Sequence, residues 1–298
     1  MSALHEEVSF ETEVCTVLAA NGWLYTVGDA QAYDRARTLF PADLIAWVRA
    51  TQPKAWEVLQ KAHGGAAETI LLDRVRKSLD DRGTLDVLRA GVEMIGLRAP
   101  VALAQFKPAM RMNPEIVARY EANRLRVVRQ VRYSLANENC IDLVLFLNGV
   151  AVAPVELKTD FTQSVGDAVD QYRFDRLPRP KGSAAEPLLG FPSGALVHFA
   201  VSNREAMMTT KLEGPATHFL PFNKGDAGAA GNPTPPIGHP TSYLWEEVWQ
   251  RDSWLEILGR YLVTQKDEKK RISRILFPRY HQLDATRQLE AAVLAEGA

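Results

Sequence analysis

Apolar positions recur at helical spacing in the first hundred residues of the chain. Residues 6–20 carry apolar side chains every three or four positions up to Gly22, which predicts a helix that ends there. Residues 41–96 keep this period in short pieces, interrupted by Pro53 and by the Gly64–Gly65 pair. We therefore predict a helical insert over residues 41–96.

The pattern changes to strand-like alternation from Arg124 onward. Residues 141–147 and 150–158 are apolar runs joined by Asn148–Gly149, a strong signal for a hairpin turn. A helix is predicted over residues 163–176. Further strands are predicted over residues 195–201, 207–212 and 218–222. This order predicts an α/β fold, a mixed sheet flanked by helices.

The last part of the chain has a different composition. Residues 225–241 are rich in Gly, Pro and Ala, which is typical of a linker. Residues 242–298 predict helices on either side of a charged stretch at 266–274. We therefore divide the chain into a domain over residues 1–224, a linker over 225–241 and a helical connector over 242–298.

Charge and cysteine content exclude several classes of protein. Thirty-five Lys and Arg against 36 Asp and Glu give a net charge of -1. This balance excludes a globally basic nucleic-acid binder but leaves room for a local basic groove. Two cysteines build no disulfide framework, and no apolar run is long enough to span a bilayer. We expect a cytoplasmic protein without a membrane partner.

Three ionisable residues stand in the apolar hairpin: Asp142, Glu156 and Lys158. Buried charges are costly unless they are paired or bind a metal ion. Glu156 and Lys158 are two residues apart, so on a strand they project from the same face. Two carboxylates would suit Mg²⁺, with the Leu157 carbonyl as a third oxygen ligand. Lys158 would then position the attacking water and stabilise developing charge.

The hairpin register decides whether Asp142 joins the other two residues. A two-residue Asn148–Gly149 loop places Asp142 opposite Val155 and on the wrong face. A three-residue loop that includes Leu147 would bring it to the correct face, and so would a bulge near Pro154. The sequence leaves these alternatives open.

An Asp at one strand followed by Glu-x-Lys on the next resembles the PD-(D/E)xK nuclease core. The surrounding sequence is similar to the restriction subunit (HsdR) of type I restriction-modification enzymes. This similarity covers most of the chain and is weakest in the helical insert. It is carried by residues 154–159, 163–172, 194–199 and 220–225.

The resemblance implies a PD-(D/E)xK core and a Mg²⁺-dependent endonuclease that hydrolyses DNA phosphodiester bonds. In the complete subunit, cleavage would be coupled to ATP-dependent translocation. Double-stranded DNA and the methylation (M) and specificity (S) subunits would be the partners. Two alternatives stay open: a catalytically silent DNA-binding or docking module of the same fold, and a nuclease of another defence or repair system.

The resemblance also implies further site residues. The family carries a Gln followed four residues later by Tyr on the helix after the motif. Gln171 matches the Gln, but the nearby tyrosine is Tyr172, which leaves its role in doubt. Since the first helix can supply an acid in this superfamily, Glu11 or Glu13 is a candidate for a further acidic group at the metal site.

Phe277 and Gln282 lie in a segment similar to the adenine-reading segment of the family's motor. No phosphate-binding G-x-x-x-x-G-K-[ST] motif follows, so we expect a fragment that does not hydrolyse ATP. Clustered side chains on either side of the nuclease motif are candidates for contacts with DNA. They are Arg124, Arg126, Arg129, Tyr172, Arg173 and Arg176.

Overall fold

A computed structural model describes residues 3–108, 112–160 and 163–296. Its α-helices span Ala3–Ala20 (α1), Pro41–Thr51 (α2), Pro53–His63 (α3), Ala67–Arg82 (α4), Thr84–Ala90 (α5), Pro114–Glu121 (α6), Val165–Asp170 (α7), Arg251–Glu256 (α8) and Tyr280–Glu296 (α9). Its strands span Leu125–Arg132 (β1), Cys140–Leu147 (β2), Val150–Lys158 (β3), His198–Ser202 (β4), Ala206–Thr209 (β5), Leu220–Pro221 (β6), Val263–Lys266 (β7) and Ile272–Leu276 (β8).

Six strands form one sheet in the order β1-β2-β3-β4-β5-β6. The β3–β4 pair is parallel, because α7 lies between these strands in the chain, and the other four pairs are antiparallel. The predicted mixed α/β architecture is therefore confirmed. Helices α2 to α5 occupy the predicted helical insert.

The sheet separates two apolar layers. One face, with Leu143 and Phe199, packs against α1, the helical insert and the C-terminal segment. The other face, with Val144 and Phe146, packs against α7 and Tyr172. The central strand β3 is buried along its whole length, so charged residues on it stand in an apolar environment.

The β2–β3 hairpin combines a tight turn with a bulge. Asn148 and Gly149 have φ of 47° and 80°, as a two-residue turn of this kind requires. A Cβ on Gly149 would lie 2.4 Å from the Phe40 carbonyl oxygen, so this position also needs glycine for space. The register shifts between Leu145 and Phe146, which leaves Val152 as the extra residue of a bulge.

Several predicted boundaries are wrong in detail. The helix predicted over residues 163–176 is α7 followed by a π-helical turn, Gln171–Asp175. The strand predicted over 218–222 shrinks to Leu220–Pro221. The charged stretch at 266–274 belongs to an antiparallel hairpin of β7 and β8, in which Ile272 and Ile275 pack against the core.

The segment after the 225–240 loop contributes to the same core as the sheet. Trp245, Trp249 and Trp254 are fully buried and pack in the core. Trp249 and Trp254 contact the Phe199 ring, and the Trp23 indole donates to the Trp249 carbonyl oxygen across 2.9 Å. Within residues 3–108, 112–160 and 163–296, no helix is both long and apolar enough to cross a bilayer.

Candidate active site

The hairpin register brings Asp142 to Glu156. Beyond the bulge, Leu143 pairs with Val155, so Asp142 lies opposite Glu156 on the next rung. The Leu157 main-chain N–H donates to Asp142 Oδ2 across 2.7 Å. Of the arrangements that the sequence leaves open, the protein uses a two-residue loop with a bulge near Pro154, at Val152.

Glu156 is completely buried, and only one of its two carboxylate oxygens has a hydrogen-bond partner among the described residues. Its Oε1 accepts a hydrogen bond from Arg176 Nε at 2.7 Å, whereas its Oε2 has no partner among the described residues. Burial and then the negative charge of Asp142 raise the pKa of Glu156 well above its ordinary value, although Arg176 opposes this shift. Glu156 therefore has one carboxylate oxygen without a partner among the described residues, and it takes up a proton more readily than an ordinary glutamate.

Lys158 lies at the same end of β3 and is only 6% exposed. Its Nζ donates to Glu7 Oε1 across 3.0 Å, which ties the motif to α1. The sequence analysis missed Glu7 as a partner of this lysine. No spacing signal links residues 151 positions apart, so only the packing of α1 against β3 reveals the pair.

Of the two candidate acids on α1, only Glu11 approaches Asp142. Glu11 is 2% exposed, and it accepts hydrogen bonds from Arg129 Nε at 2.9 Å and Gln130 Nε2 at 2.8 Å. Burial and the charge of Asp142 raise its pKa. Glu13 Oε2 instead lies 3.2 Å from His239 Nε2. Both residues line a cleft of about 1090 Å³, and Thr159, next to Lys158, lines it as well.

Gln171 and Tyr172 are the first two residues of the π-helical turn that precedes Arg176, the partner of Glu156. Gln171 has a buried side-chain oxygen without a hydrogen-bond partner in the described chain. Tyr172 is fully buried against His198, with ring centroids 5.6 Å apart, and its hydroxyl also has no partner in the described chain. Burial lowers the pKa of His198 to about 3, so its ring is neutral and belongs to the core.

The arginines proposed for DNA contacts are engaged within the protein. Arg124 and Arg126 both donate to Asp43, a carboxylate that is 1% exposed, and Arg129 pairs with Glu11. Arg173 donates to the Thr217 carbonyl oxygen at 3.2 Å, and Arg176 pairs with Glu156. These contacts fix the arginines in the framework around the site. Contact with DNA stays a prediction for each of them.

The candidate nucleotide-binding residues lie away from this site. Phe277 is 7% exposed and packs against Phe199 and Phe222, with ring centroids 5.8 Å apart in both pairs. Gln282 Oε1 accepts a hydrogen bond from the Arg279 main-chain N–H at the start of α9. Nucleotide binding by these two residues stays a prediction.

The donor set fits a hard divalent cation that keeps much of its hydration shell. Among the described residues, no group of three or more His, Cys, Asp and Glu side chains could hold a metal ion. Asp142 and Glu156 supply two carboxylates, and the unpartnered Glu156 Oε2 is a buried oxygen that needs a cation or proton. Mg²⁺ is commonly held by one or two carboxylates and several waters.

Comparison with known proteins finds a family whose model covers the hairpin and the helix after it. The model of the family described as type I restriction enzyme R protein N terminus matches residues 48–217, more than half of the chain. The matched segment contains β1 to β5, α7 and the Asp142, Glu156 and Lys158 positions. No curated protein matches the chain.

Proposed function

Since the chain belongs to the family of type I restriction enzyme R protein N termini, we propose that it is the divalent-metal-dependent endonuclease module of such a subunit. Its substrate is double-stranded DNA, and its reaction is hydrolysis of the phosphodiester bond. We also propose that the sheet and its flanking helices form a PD-(D/E)xK core. Membership of the family supports the assignment to a type I restriction enzyme R subunit, which is a nuclease.

The observation that carries this proposal is the pairing of Asp142 with Glu156 inside an apolar sheet. Two carboxylates on facing strands repel each other, and burial together with this repulsion raises the pKa of Glu156. Such a pair is retained at a cost in stability, which is typical of a functional site. A Mg²⁺ ion between them would remove the repulsion.

We assign roles to the chain's own groups. Asp142, Glu156 and the Leu157 carbonyl would hold the ion directly, and Glu11, the further acid on the first helix, would face it through a bound water. The ion supplies a polarised phosphoryl oxygen and a more acidic bound water. Lys158 would orient the attacking water and stabilise negative charge on the phosphoryl group, and its hydrogen bond to Glu7 would position its ammonium group.

Phosphate contacts would involve the more exposed arginines. The side chains of Arg124 and Arg173 keep 37% and 34% of their surface exposed, whereas that of Arg176 keeps 11%. We therefore propose Arg124 and Arg173 as contacts to the DNA backbone. Contacts of this kind add affinity without reading sequence.

The complete enzyme extends the proposal beyond this chain. ATP-dependent translocation, nucleotide binding through Phe277 and Gln282, and assembly with M and S subunits are proposed for the whole subunit. A cytoplasmic location is proposed on the same grounds.

A second candidate function is a catalytically silent DNA-binding or docking module. The Arg176–Glu156 ion pair favours it, because a guanidinium already compensates the buried carboxylate. Isothermal titration with Mn²⁺ separates the two functions. Binding that is lost in Asp142→Asn supports the nuclease, and a chain that binds no Mn²⁺ supports the silent module.

The test of activity uses the assembled enzyme. Glu156→Ala and Lys158→Ala should each abolish DNA cleavage while ATP hydrolysis and translocation continue. Glu57→Ala is a matched control, because this carboxylate is exposed on α3, outside the motif and the helix after it. Cleavage that persists in either alanine variant contradicts the assignment.

A further inference from the structure

Gln130 has a backbone conformation that is unusual inside a strand. Its φ is 51°, in the left-handed region that disfavours residues with a long side chain. The neighbouring pairs Arg129–Leu143 and Val131–Ile141 place Gln130 directly opposite Asp142 in the register. Gln130 is itself exposed, so burial of its side chain does not explain this conformation.

At Gln130, the residue with the left-handed conformation, the side chains of β1 change from one face of the sheet to the other. Val128 and Val131 are three residues apart, yet both bury in the apolar layer that contains Tyr172. Residues three apart on a regular strand face opposite sides. The partner strand changes face at the same place, since Ile141 and Val144 share that layer as well. The sheet is therefore irregular on both strands next to the candidate metal site.

The Gln130 side chain joins the acids on two different elements. Its Nε2 donates to Glu11 Oε1 across 2.8 Å and reaches Asp142 Oδ1 at 3.5 Å. Its Oε1 accepts a hydrogen bond from Cys140 Sγ at 3.1 Å. An amide nitrogen has two hydrogens to donate, and here both acceptors are carboxylates of the candidate site. The thiol fixes the amide so that its nitrogen faces the acids.

We propose that Gln130 is a positioning residue that holds Glu11 and Asp142 at the spacing required to bind a divalent cation. The inference rests on the proposed nuclease function and adds a residue outside the Asp, Glu and Lys motif. A backbone conformation that costs free energy is retained at functional sites when the surroundings require it. Here it aims the amide between two carboxylates that would otherwise repel each other.

Two variants separate the amide from the backbone conformation. Gln130→Met has nearly the same size and keeps the unfavourable backbone, but it cannot donate a hydrogen bond. Gln130→Gly also removes the amide and suits the left-handed conformation. Lys270→Gly is the matched control, because Lys270 has a φ of 61° in the distant β7–β8 hairpin.

Mn²⁺ affinity of the full chain is measured by isothermal titration, together with the melting temperature in EDTA. Because partners that orient metal ligands typically contribute 10- to 100-fold in affinity, both Gln130 variants should bind Mn²⁺ about 10-fold more weakly. Gln130→Gly should melt at a higher temperature than Gln130→Met. Lys270→Gly should bind Mn²⁺ like the parent chain.

The outcomes distinguish this inference from the function on which it rests. If the parent chain binds Mn²⁺, Asp142→Asn loses binding and both Gln130 variants bind normally, the positioning role is wrong and the nuclease proposal stands. Normal Mn²⁺ binding in Gln130→Gly, with weaker binding only in the less stable Gln130→Met, also overturns the role. That result would mean that Mn²⁺ affinity depends on backbone strain at residue 130 and not on the amide. A parent chain that binds no Mn²⁺ overturns both proposals.

Discussion

Arg176 donates a hydrogen bond from Nε to Glu156 Oε1 across 2.7 Å, at a position where the glutamate is fully buried and the arginine is 9% exposed. The pair joins the π-helical turn to β3. It gives the buried carboxylate its one side-chain hydrogen bond among the described residues, and Glu156 Oε2 is left free for a cation.

Arg176→Met should destabilise the chain by about 3 kcal/mol at pH 8, because breaking a buried ion pair leaves a charge without a partner. The loss should be smaller at pH 5, where Glu156 with its raised pKa is protonated more readily. Denaturant unfolding at the two pH values measures this difference.

The control is Arg132→Met, since Arg132 and Glu138 form an ion pair with side chains 61% and 66% exposed. It should cost less than about 1 kcal/mol. An equal loss of folding stability in both variants would show that the buried Arg176–Glu156 pair contributes no more than an exposed ion pair.

Asp142→Asn should stabilise the metal-free chain increasingly as pH rises from 5 to 8. Burial and Asp142 raise the pKa of Glu156 above the 4.5 of the unfolded chain, so the folded state holds more protons in this range. Folded stability therefore falls as pH rises through that window. Removing the charge of Asp142 weakens this loss.

Thermal unfolding in EDTA measures the effect, and a gain of about 3 °C corresponds to roughly 1 kcal/mol in a chain of this size. Gln130 and Glu11 are left unchanged in this variant. A melting-temperature difference that does not vary with pH would show that Asp142 and Glu156 do not interact.

Gly149→Ala should destabilise the chain by more than about 3 kcal/mol, since a left-handed conformation and a clash with the Phe40 carbonyl act together. Gly28→Ala is matched in φ, at 94°, but its Cβ would meet nothing within 4 Å. This control should cost about 1 kcal/mol. Similar losses would mean that the turn does not depend on close packing against Phe40.

Tyr172→Phe should stabilise the chain by about 1 kcal/mol, because it removes a buried hydroxyl that has no partner in the described chain. DNA affinity should be unchanged, since the ring lies in the core against His198. Fluorescence anisotropy with a labelled duplex measures the affinity. Weaker DNA binding at unchanged stability would instead place the hydroxyl at the DNA.

Much of the fold follows from local patterns in the sequence. The buried run before Asn148–Gly149 and the run after it predict β2 and β3, because turn chemistry and apolar continuity act over a few residues. The end of the helix after the motif was less predictable. The π-helical turn at Gln171–Asp175 depends on packing against the sheet, and helical spacing alone does not specify it.

The site was predictable only in its residue types. Asp142, Glu156 and Lys158 follow from charges in apolar strands, but the partners Glu7 and Arg176 are contacts of the folded chain. Pro154 signals the bulge in β3, but the sequence does not fix its position at Val152, because the neighbouring residues are as apolar as the rest of the strand. The conformation of Gln130 could not be foreseen, since glutamine is not a residue that favours positive φ.

The most direct test of the central claim is anomalous diffraction from crystals of the chain soaked in MnCl₂. The account predicts one strong peak between the Asp142 and Glu156 carboxylates, at about 2.1 Å from their oxygens and close to the Leu157 carbonyl. The peak should be absent from Asp142→Asn crystals. Parent crystals with no peak there, or with manganese bound only at other sites, would contradict the account.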